Sequence, residues 1–315
     1  MSRDHGSDGA AAENAAADRV AGAAAESVAG AEERGPRPRG AAAPIGVFDS
    51  GIGGLTVVRQ VLASLPKEDV LYFGDTARVP YGIKSKETVT RFSRENTQFL
   101  IRRGIKMLIV ACNSASAMAL ESLRREFELP ILGVIHPGAQ AAVRATRSGK
   151  VGVIGTQATV GSRAYDRAIS ELDPKVQVHS RPCPLFVPLA EEGWTEGEVP
   201  EKVAAEYLAP LLAAGIDTLI LGCTHYPLLE VTIQKVAGDG VTLIDTAVET
   251  VREVTDLLSA RQLHHPEAGS ARQVRREYFV SDVPAEFRKV GERFLGHELE
   301  SLVWVDQDDL PWYER

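Results

Sequence analysis

One segment of this chain occurs twice, 111 residues apart and without a gap. Gly104-Ile105-Lys106-Met107-Leu108-Ile109-Val110-Ala111-Cys112-Asn113-Ser114 is matched by Gly215-Ile216-Asp217-Thr218-Leu219-Ile220-Leu221-Gly222-Cys223-Thr224-His225. Each copy reads as a helix stop, a buried strand, a cysteine and a polar tip. Ahead of the first copy, Val89, Phe92, Phe99 and Leu100 share one helical face between Ser85 and Arg103, and Gly104 supplies the stop. Ahead of the second, Val203, Tyr207, Leu208 and Leu211 do the same from about 201 to 214, with Gly215 as the stop. A weaker echo relates Ile45-Gly46-Val47-Phe48-Asp49-Ser50 to Val151-Gly152-Val153-Ile154-Gly155-Thr156. The repetition implies two pseudo-symmetric α/β halves, each of roughly 110 residues, a normal domain size. Chance similarity between two buried strands is the alternative.

Short apolar runs alternate with helical patterns throughout the rest of the chain. They fall at Ile45–Phe48, Val70–Phe73, Met107–Ala111, Ile131–Ile135, Val151–Ile154, Val176–Val178, Leu219–Gly222 and Val241–Ile244. Runs this short, spaced by helices, predict mostly parallel sheets of the Rossmann-like or flavodoxin-like kind. Residues 1–43 differ. They are mostly Ala, Gly, Asp, Glu and Ser and contain no Leu, Ile, Phe, Tyr or Trp, so they cannot bury enough apolar surface to offset chain entropy. A disordered tail is expected there, with structure beginning at Pro44.

Composition narrows the function classes. The chain has 315 residues, 44% hydrophobic and 25% charged, which suits a globular protein with room for two domains. The net charge is −8 with no long basic run, which argues against nucleic acid as the main partner. No apolar run reaches the ~18 residues of a membrane span, and the N-terminus lacks a signal-peptide pattern. Three cysteines are too few for a disulfide framework, so reduced thiols and a cytoplasmic location are expected.

In open α/β sheets ligands sit beyond the carboxyl ends of the strands, and both repeated cysteines lie just past such ends. If the halves face each other, two thiols enter one cleft from opposite sides. Moving a proton off a carbon and returning it on the other face needs one base and one acid whose roles swap with direction. A thiol pair suits that task, because its ordinary pKa near 8.5 can be tuned. A single buried cysteine is usually just a small hydrophobe; a repeated pair followed by polar residues is not so easily explained.

Asp49-Ser50-Gly51-Ile52-Gly53-Gly54 follows the first strand. It is neither a P-loop nor a dinucleotide fingerprint, since Thr56 stands where the third glycine would be. It could be a plain Gly-rich turn, or it could place Asp49 beside a thiol. His225, two residues after Cys223, could tune that thiol or simply pack. Glu191 could orient His225, although composition alone favours a solvated loop residue. His264-His265 reads as surface sequence. There is no CxxC pair and no HExxH, so no metal site is expected.

Taken together, several motifs resemble those of bacterial glutamate racemases, within the aspartate/glutamate racemase family. They are Asp49-Ser50-Gly51-Ile52-Gly53-Gly54, Phe73-Gly74-Asp75, Pro80-Tyr81-Gly82, Ala111-Cys112-Asn113-Ser114, Cys183-Pro184-Leu185-Phe186 and Leu221-Gly222-Cys223-Thr224-His225-Tyr226-Pro227. Their order and spacing fit from about 45 to 250, and 278–296 resembles the C-terminal part of some members. The resemblance implies that Cys112 and Cys223 are the acid/base pair. It implies that Asp49 and His225 assist their neighbouring thiols and that Glu191 supports His225. It also implies that Asp49, Ser50, Tyr81, Gly82, Asn113, Ser114, Thr224 and His225 bind glutamate. The implied activity is L/D-glutamate interconversion for peptidoglycan synthesis, with neither pyridoxal phosphate nor metal, in an enzyme that forms homodimers. The implied domains are discontinuous: 44–137 plus 246–315, then 138–245, with the active site between them. Ser114 stands where the family usually has Thr, and Thr246 where it usually has Ser.

Three other readings remain at this point. One is another two-cysteine amino-acid racemase, such as one for aspartate. The second is a non-catalytic glutamate-binding or regulatory protein. The third is a cysteine hydrolase built on Cys223 and His225, which leaves Cys112 without a task.

Overall fold

The computed structural model describes residues 40–266 and 272–306. The Ala-rich segment ahead of Gly40 therefore lies outside the described residues. Packing begins slightly before Pro44: Ala43 is buried, and the Ala41 carbonyl accepts from Lys106 Nζ at 2.9 Å.

The strands, in chain order, are β1 (Ile45–Asp49), β2 (Val70–Gly74), β3 (Met107–Val110), β4 (Ile131–Gly133) and β5 (Lys150–Gly155). They continue with β6 (Gln177–Pro182), β7 (Thr218–Gly222), β8 (Thr242–Asp245), β9 (Arg276–Val280) and β10 (Leu302–Trp304). Six of them form one sheet in the order β10-β9-β2-β1-β3-β4, and four form another in the order β6-β5-β7-β8. Every pairing is parallel.

The repeat is visible in this topology. The run β2-β1-β3-β4 in the larger sheet has the same connectivity as β6-β5-β7-β8, with β9 and β10 added on the β2 edge. Residues β1, β2, β3 and β7 contribute are buried along their whole length, as expected for strands covered by helices on both faces. In each half the order reverses between the first and third strands. That reversal opens a crevice at their carboxyl ends.

Local signals place the helices. Ser85 caps the helix Lys86–Arg102 by accepting from Thr88 N at 3.3 Å. Gly104 and Gly215, the two equivalent stops, both have φ of +78°, a conformation that favours glycine. The second repeat helix spans Glu198–Ala213 and so starts earlier than the apolar face suggested. Pro200 sits in its first turn, where the missing N–H costs nothing.

Other differences have physical causes. β6 extends to Pro182 because it is a half-buried edge strand carrying His179, Ser180 and Arg181, which an apolar-run criterion cannot register. β4 stops at Gly133, since Val134 and Ile135 already turn into the helix Ile135–Ala145. His265 is buried rather than on the surface; its backbone N–H donates to Glu68 Oε1 at 2.8 Å, next to the Lys106–Glu68 ion pair. Its neighbour His264 is exposed as expected.

One apolar cluster runs through both sheets, joining Val47, Leu55 and Val58 to Leu219, Leu221 and Val251. The C-terminal helix Pro284–Leu295 packs on the helix Leu55–Ser64 and closes the structure on the β9 side.

Candidate active site

The two crevices face one another. Asp49 ends β1, and Cys112 follows β3; across the cleft, Thr156 follows β5, and Cys223 follows β7. The halves touch directly here. Thr56 Oγ1, at the start of the helix after the Gly-rich turn, donates to the Thr224 carbonyl at 3.0 Å.

Cys112 is buried, and its thiol donates to Ser50 Oγ at 3.5 Å. Burial pushes this thiol up to about 12; the Asp49 carboxylate adds to the rise and Cys223 contributes in the same direction. At neutral pH Cys112 is therefore a thiol. Cys223, from the other sheet, is thus near enough for its charge to act on the Cys112 thiol.

Asp49 is almost fully buried, with Oδ2 accepting from Gly51 N–H at 2.9 Å. Burial pushes its carboxyl above the usual range, while charge on His225 and the Gly51 N–H pull it back. Its other oxygen, Oδ1, has no hydrogen-bond partner among the described residues. Neither has Nδ2 of buried Asn113, whose Oδ1 accepts from Tyr165 OH at 2.7 Å. Asp49 Oδ1 and Asn113 Nδ2 are thus an acceptor and a donor buried without a direct partner among the described residues, which is costly unless a ligand answers them. An α-amino acid carries both complements, an ammonium and a carboxylate.

On the other side, Cys223 Sγ lies 3.8 Å from His225 Nδ1, and His225 Nε2 lies 2.9 Å from Glu191 Oε1. Burial alone would lower the imidazole pKa. Hydrogen bonds to Cys223 and Glu191, with the charges of both, outweigh it and raise His225 to about 10. His225 is thus an imidazolium at neutral pH. Glu191, at the end of the helix Phe186–Glu192, reaches His225 while remaining partly exposed.

The remaining expected residues are also nearby. Ser114 Oγ is 2.9 Å from Thr156 Oγ1 and 3.3 Å from Thr159 Oγ1. Gly82 lies against Thr156. The Tyr81 side chain points the other way: its hydroxyl donates to Asp75 and takes an N–H from Asn96 Nδ2 at 3.1 Å. The Tyr81 hydroxyl is thus committed to Asp75 and Asn96. Thr224 is buried beside Gly53.

Three residues were not anticipated. Thr156 and Thr159 complete a hydroxyl cluster with Ser114, and Tyr165 crosses from the second half to fix Asn113. The echo that aligns Thr156 with Ser50 could have disclosed Thr156; Thr159 and Tyr165 carry no such sign. Among the described residues no three His, Cys, Asp or Glu side chains gather as a metal-ligand set.

Comparison with known proteins identifies the family. Residues 45–254 match the family model described as Asp/Glu/Hydantoin racemase. A glutamate racemase of Geobacter metallireducens is 56% identical over 261 residues, covering 83% of this chain and 96% of the relative. The crystal structure of a Francisella tularensis glutamate racemase in complex with D-glutamate superposes with a TM-score of 0.79 at 40% identity, covering 86% of this chain and 100% of that one. A Thermus thermophilus glutamate racemase gives 0.78 at 45% identity, with coverage of 86% and 100%. The chain belongs to the Asp/Glu/hydantoin racemase family and is a homologue of its glutamate racemases.

Proposed function

We propose that this protein is an isomerase that interconverts L- and D-glutamate, with Cys112 and Cys223 as the two acid/base groups. In one direction a thiolate removes the α-proton from one face, and the opposite thiol delivers its own proton to the other. The reverse reaction exchanges the two roles. Only protons move, so the scheme balances with the two cysteines alone. The two sides differ in what flanks each sulfur: Cys112 holds its proton near Asp49, while Cys223 stands 3.8 Å from the His225 imidazole. The observation that supports this reading is that two buried thiols follow equivalent strands of two sheets, near enough for the charge of Cys223 to act on Cys112.

Asp49 serves the Cys112 side, and the His225–Glu191 pair serves the Cys223 side. Asp49 and Asn113 hold the ammonium and carboxylate of the α-carbon. Ser114, Thr156, Thr159, Thr224 and the main chain at Ser50, Tyr81 and Gly82 complete the binding surface. The halves around each sheet act as two domains that exchange chain near residues 137 and 245. The D-glutamate formed supplies peptidoglycan synthesis. A cysteine hydrolase is disfavoured because Cys112 and Asp49 are built into the same cleft as Cys223 and His225. Among the described residues no helix is long and apolar enough to cross a membrane. A cytoplasmic homodimer with no nucleic-acid partner completes the proposal, in keeping with the net charge of −8; sedimentation of the purified protein tests the dimer.

The direct test incubates the protein with each enantiomer in deuterated water. Deuterium is expected at the α-carbon from both, without added cofactor. Cys112→Ser and Cys223→Ser should each lower racemisation by about 10²-fold or more. Undiminished turnover in either variant refutes the two-base scheme.

A further inference from the structure

The C-terminal helix Pro284–Leu295 does more than close the larger sheet, because its last turn reaches the opposite half of the cleft. Phe294 is fully buried, and its ring stands edge-to-face with His225, 5.1 Å between centroids at 80°. Next to it, Arg293 Nη1 donates to the Glu191 carbonyl at 2.8 Å, and its guanidinium lies against Gly193. The helix Phe186–Glu192 has no basic residue in its own last turn. Arg293 supplies the cation and donor that a helix C-terminus favours. One helix thus touches both members of the pair, the imidazole through Phe294 and the backbone of Glu191 through Arg293.

We infer that Phe294 and Arg293 are positioning residues for the His225–Glu191 pair, so that the C-terminal helix sets the geometry of proton transfer on the Cys223 side alone. The inference rests on the racemase reading above. The partners just named for the two side chains, His225 and Glu191, both stand on the Cys223 side. His225 has two faces fixed by polar partners, Cys223 at Nδ1 and Glu191 at Nε2. Phe294 supplies an apolar wall, which holds the ring in plane with both. Without Arg293, the end of the helix Phe186–Glu192 loses its anchor to the larger sheet's half, and Glu191 loses its fixed distance to the ring. The charged groups acting on His225 are Cys223, Glu191 and, across the cleft, Asp49. Of these, only Glu191 is held in place by the C-terminal helix.

The test compares wild type with Arg293→Ala, Arg293→Lys, Phe294→Ala and Phe294→Tyr. It measures kcat, KM and the pH dependence of kcat, with deuterium exchange recorded separately for each enantiomer. Arg293→Ala is the main variant, since Arg293 is exposed and its loss leaves the core intact. Its kcat should fall roughly tenfold, a part of the ~10²–10⁴ that acid–base assistance provides. KM should stay within about twofold. The alkaline limb of the profile should move to lower pH, because a loosened Glu191 supports the imidazolium less. Arg293→Lys should recover most of the rate. Phe294→Ala should show the same pattern, more strongly, with Phe294→Tyr recovering it. An unmoved alkaline limb in Arg293→Ala, or a rise in KM that matches the fall in kcat, overturns the inference while leaving the racemase reading intact. Absence of racemisation by wild type overturns both.

Discussion

Gly53→Ala is a sharp test of how closely the two halves approach. A β-carbon at Gly53 would lie 2.6 Å from both Cε1 and Nδ1 of His225, and nearer still to Thr224 Oγ1. Ordinary van der Waals contact begins at 3.4 Å, so the second half must retreat by about 1.2 Å to clear Thr224, or the Thr224 and His225 side chains must both turn away. Misplacement of catalytic groups by about 1 Å costs on the order of 10²-fold in rate, or ~2.7 kcal/mol of transition-state stabilisation. Overpacking by one methyl costs roughly 1–3 kcal/mol of folding free energy, a fall of about 2–12 °C in Tm for a domain of this size. The prediction is therefore a folded protein that has lost most of its kcat. Initial rates at saturating glutamate, followed by circular dichroism of the substrate, and a calorimetric scan measure both quantities. Gly161→Ala is the control, since a β-carbon there meets nothing within 4 Å, and its rate and Tm should match wild type. If Gly53→Ala keeps more than about half the wild-type kcat, the cleft is not as tightly closed at this point as the argument requires.

Other expectations follow from the same geometry. Glu191→Gln keeps a hydrogen-bond acceptor and removes a charge that raises His225, so the imidazolium should lose its proton at lower pH and the alkaline limb of kcat should move down by up to about one unit; an unshifted limb removes the Glu191 charge from the scheme. Asp49→Asn removes a charge that raises Cys112, so alkylation of that thiol by iodoacetamide should reach half-maximal rate at lower pH than in wild type. A midpoint that stays or rises would show that Asp49 does not act on Cys112 electrostatically. Thr156→Val deletes one hydroxyl of the Ser114–Thr156–Thr159 cluster and should raise KM by roughly tenfold, as for the loss of one hydrogen bond to a charged group of ~1.5 kcal/mol. Thr156→Ser, which keeps the oxygen, should stay near wild type, and equal KM values for the two variants would remove Thr156 from the binding surface.

What the sequence disclosed was largely what a local period can carry. The repeated Gly-strand-Cys segment became β3 and β7, with Cys112 and Cys223 at equivalent ends, because a buried parallel strand requires an unbroken apolar run. Asp49, Ser50, Asn113 and Thr224 were legible as polar residues at strand ends. Thr159 and Tyr165 were not, since what marks them is a partner in the other half: Ser114 for one and Asn113 for the other. His265 looked like surface sequence because its burial depends on Glu68, nearly two hundred residues earlier. The contact between Phe294 and His225 is equally non-local, and no pattern along the chain announces it. β6 was underestimated for the opposite reason, as a polar edge strand shows no apolar run.

The placement of β9 and the helix after it has a consequence for synthesis. β9 pairs with β2, and Ser281 just beyond it donates to Asp75 Oδ1 at 3.2 Å, the same carboxylate that receives the Tyr81 hydroxyl. A nascent chain on the ribosome thus carries both sulfurs well before it carries the walls that orient their neighbours. Phe294 follows Cys223 by 71 residues, roughly 4–14 s of translation at about 5–20 residues per second. During that interval the thiols exist without a finished cleft, and turnover must wait for the final segment to emerge and dock.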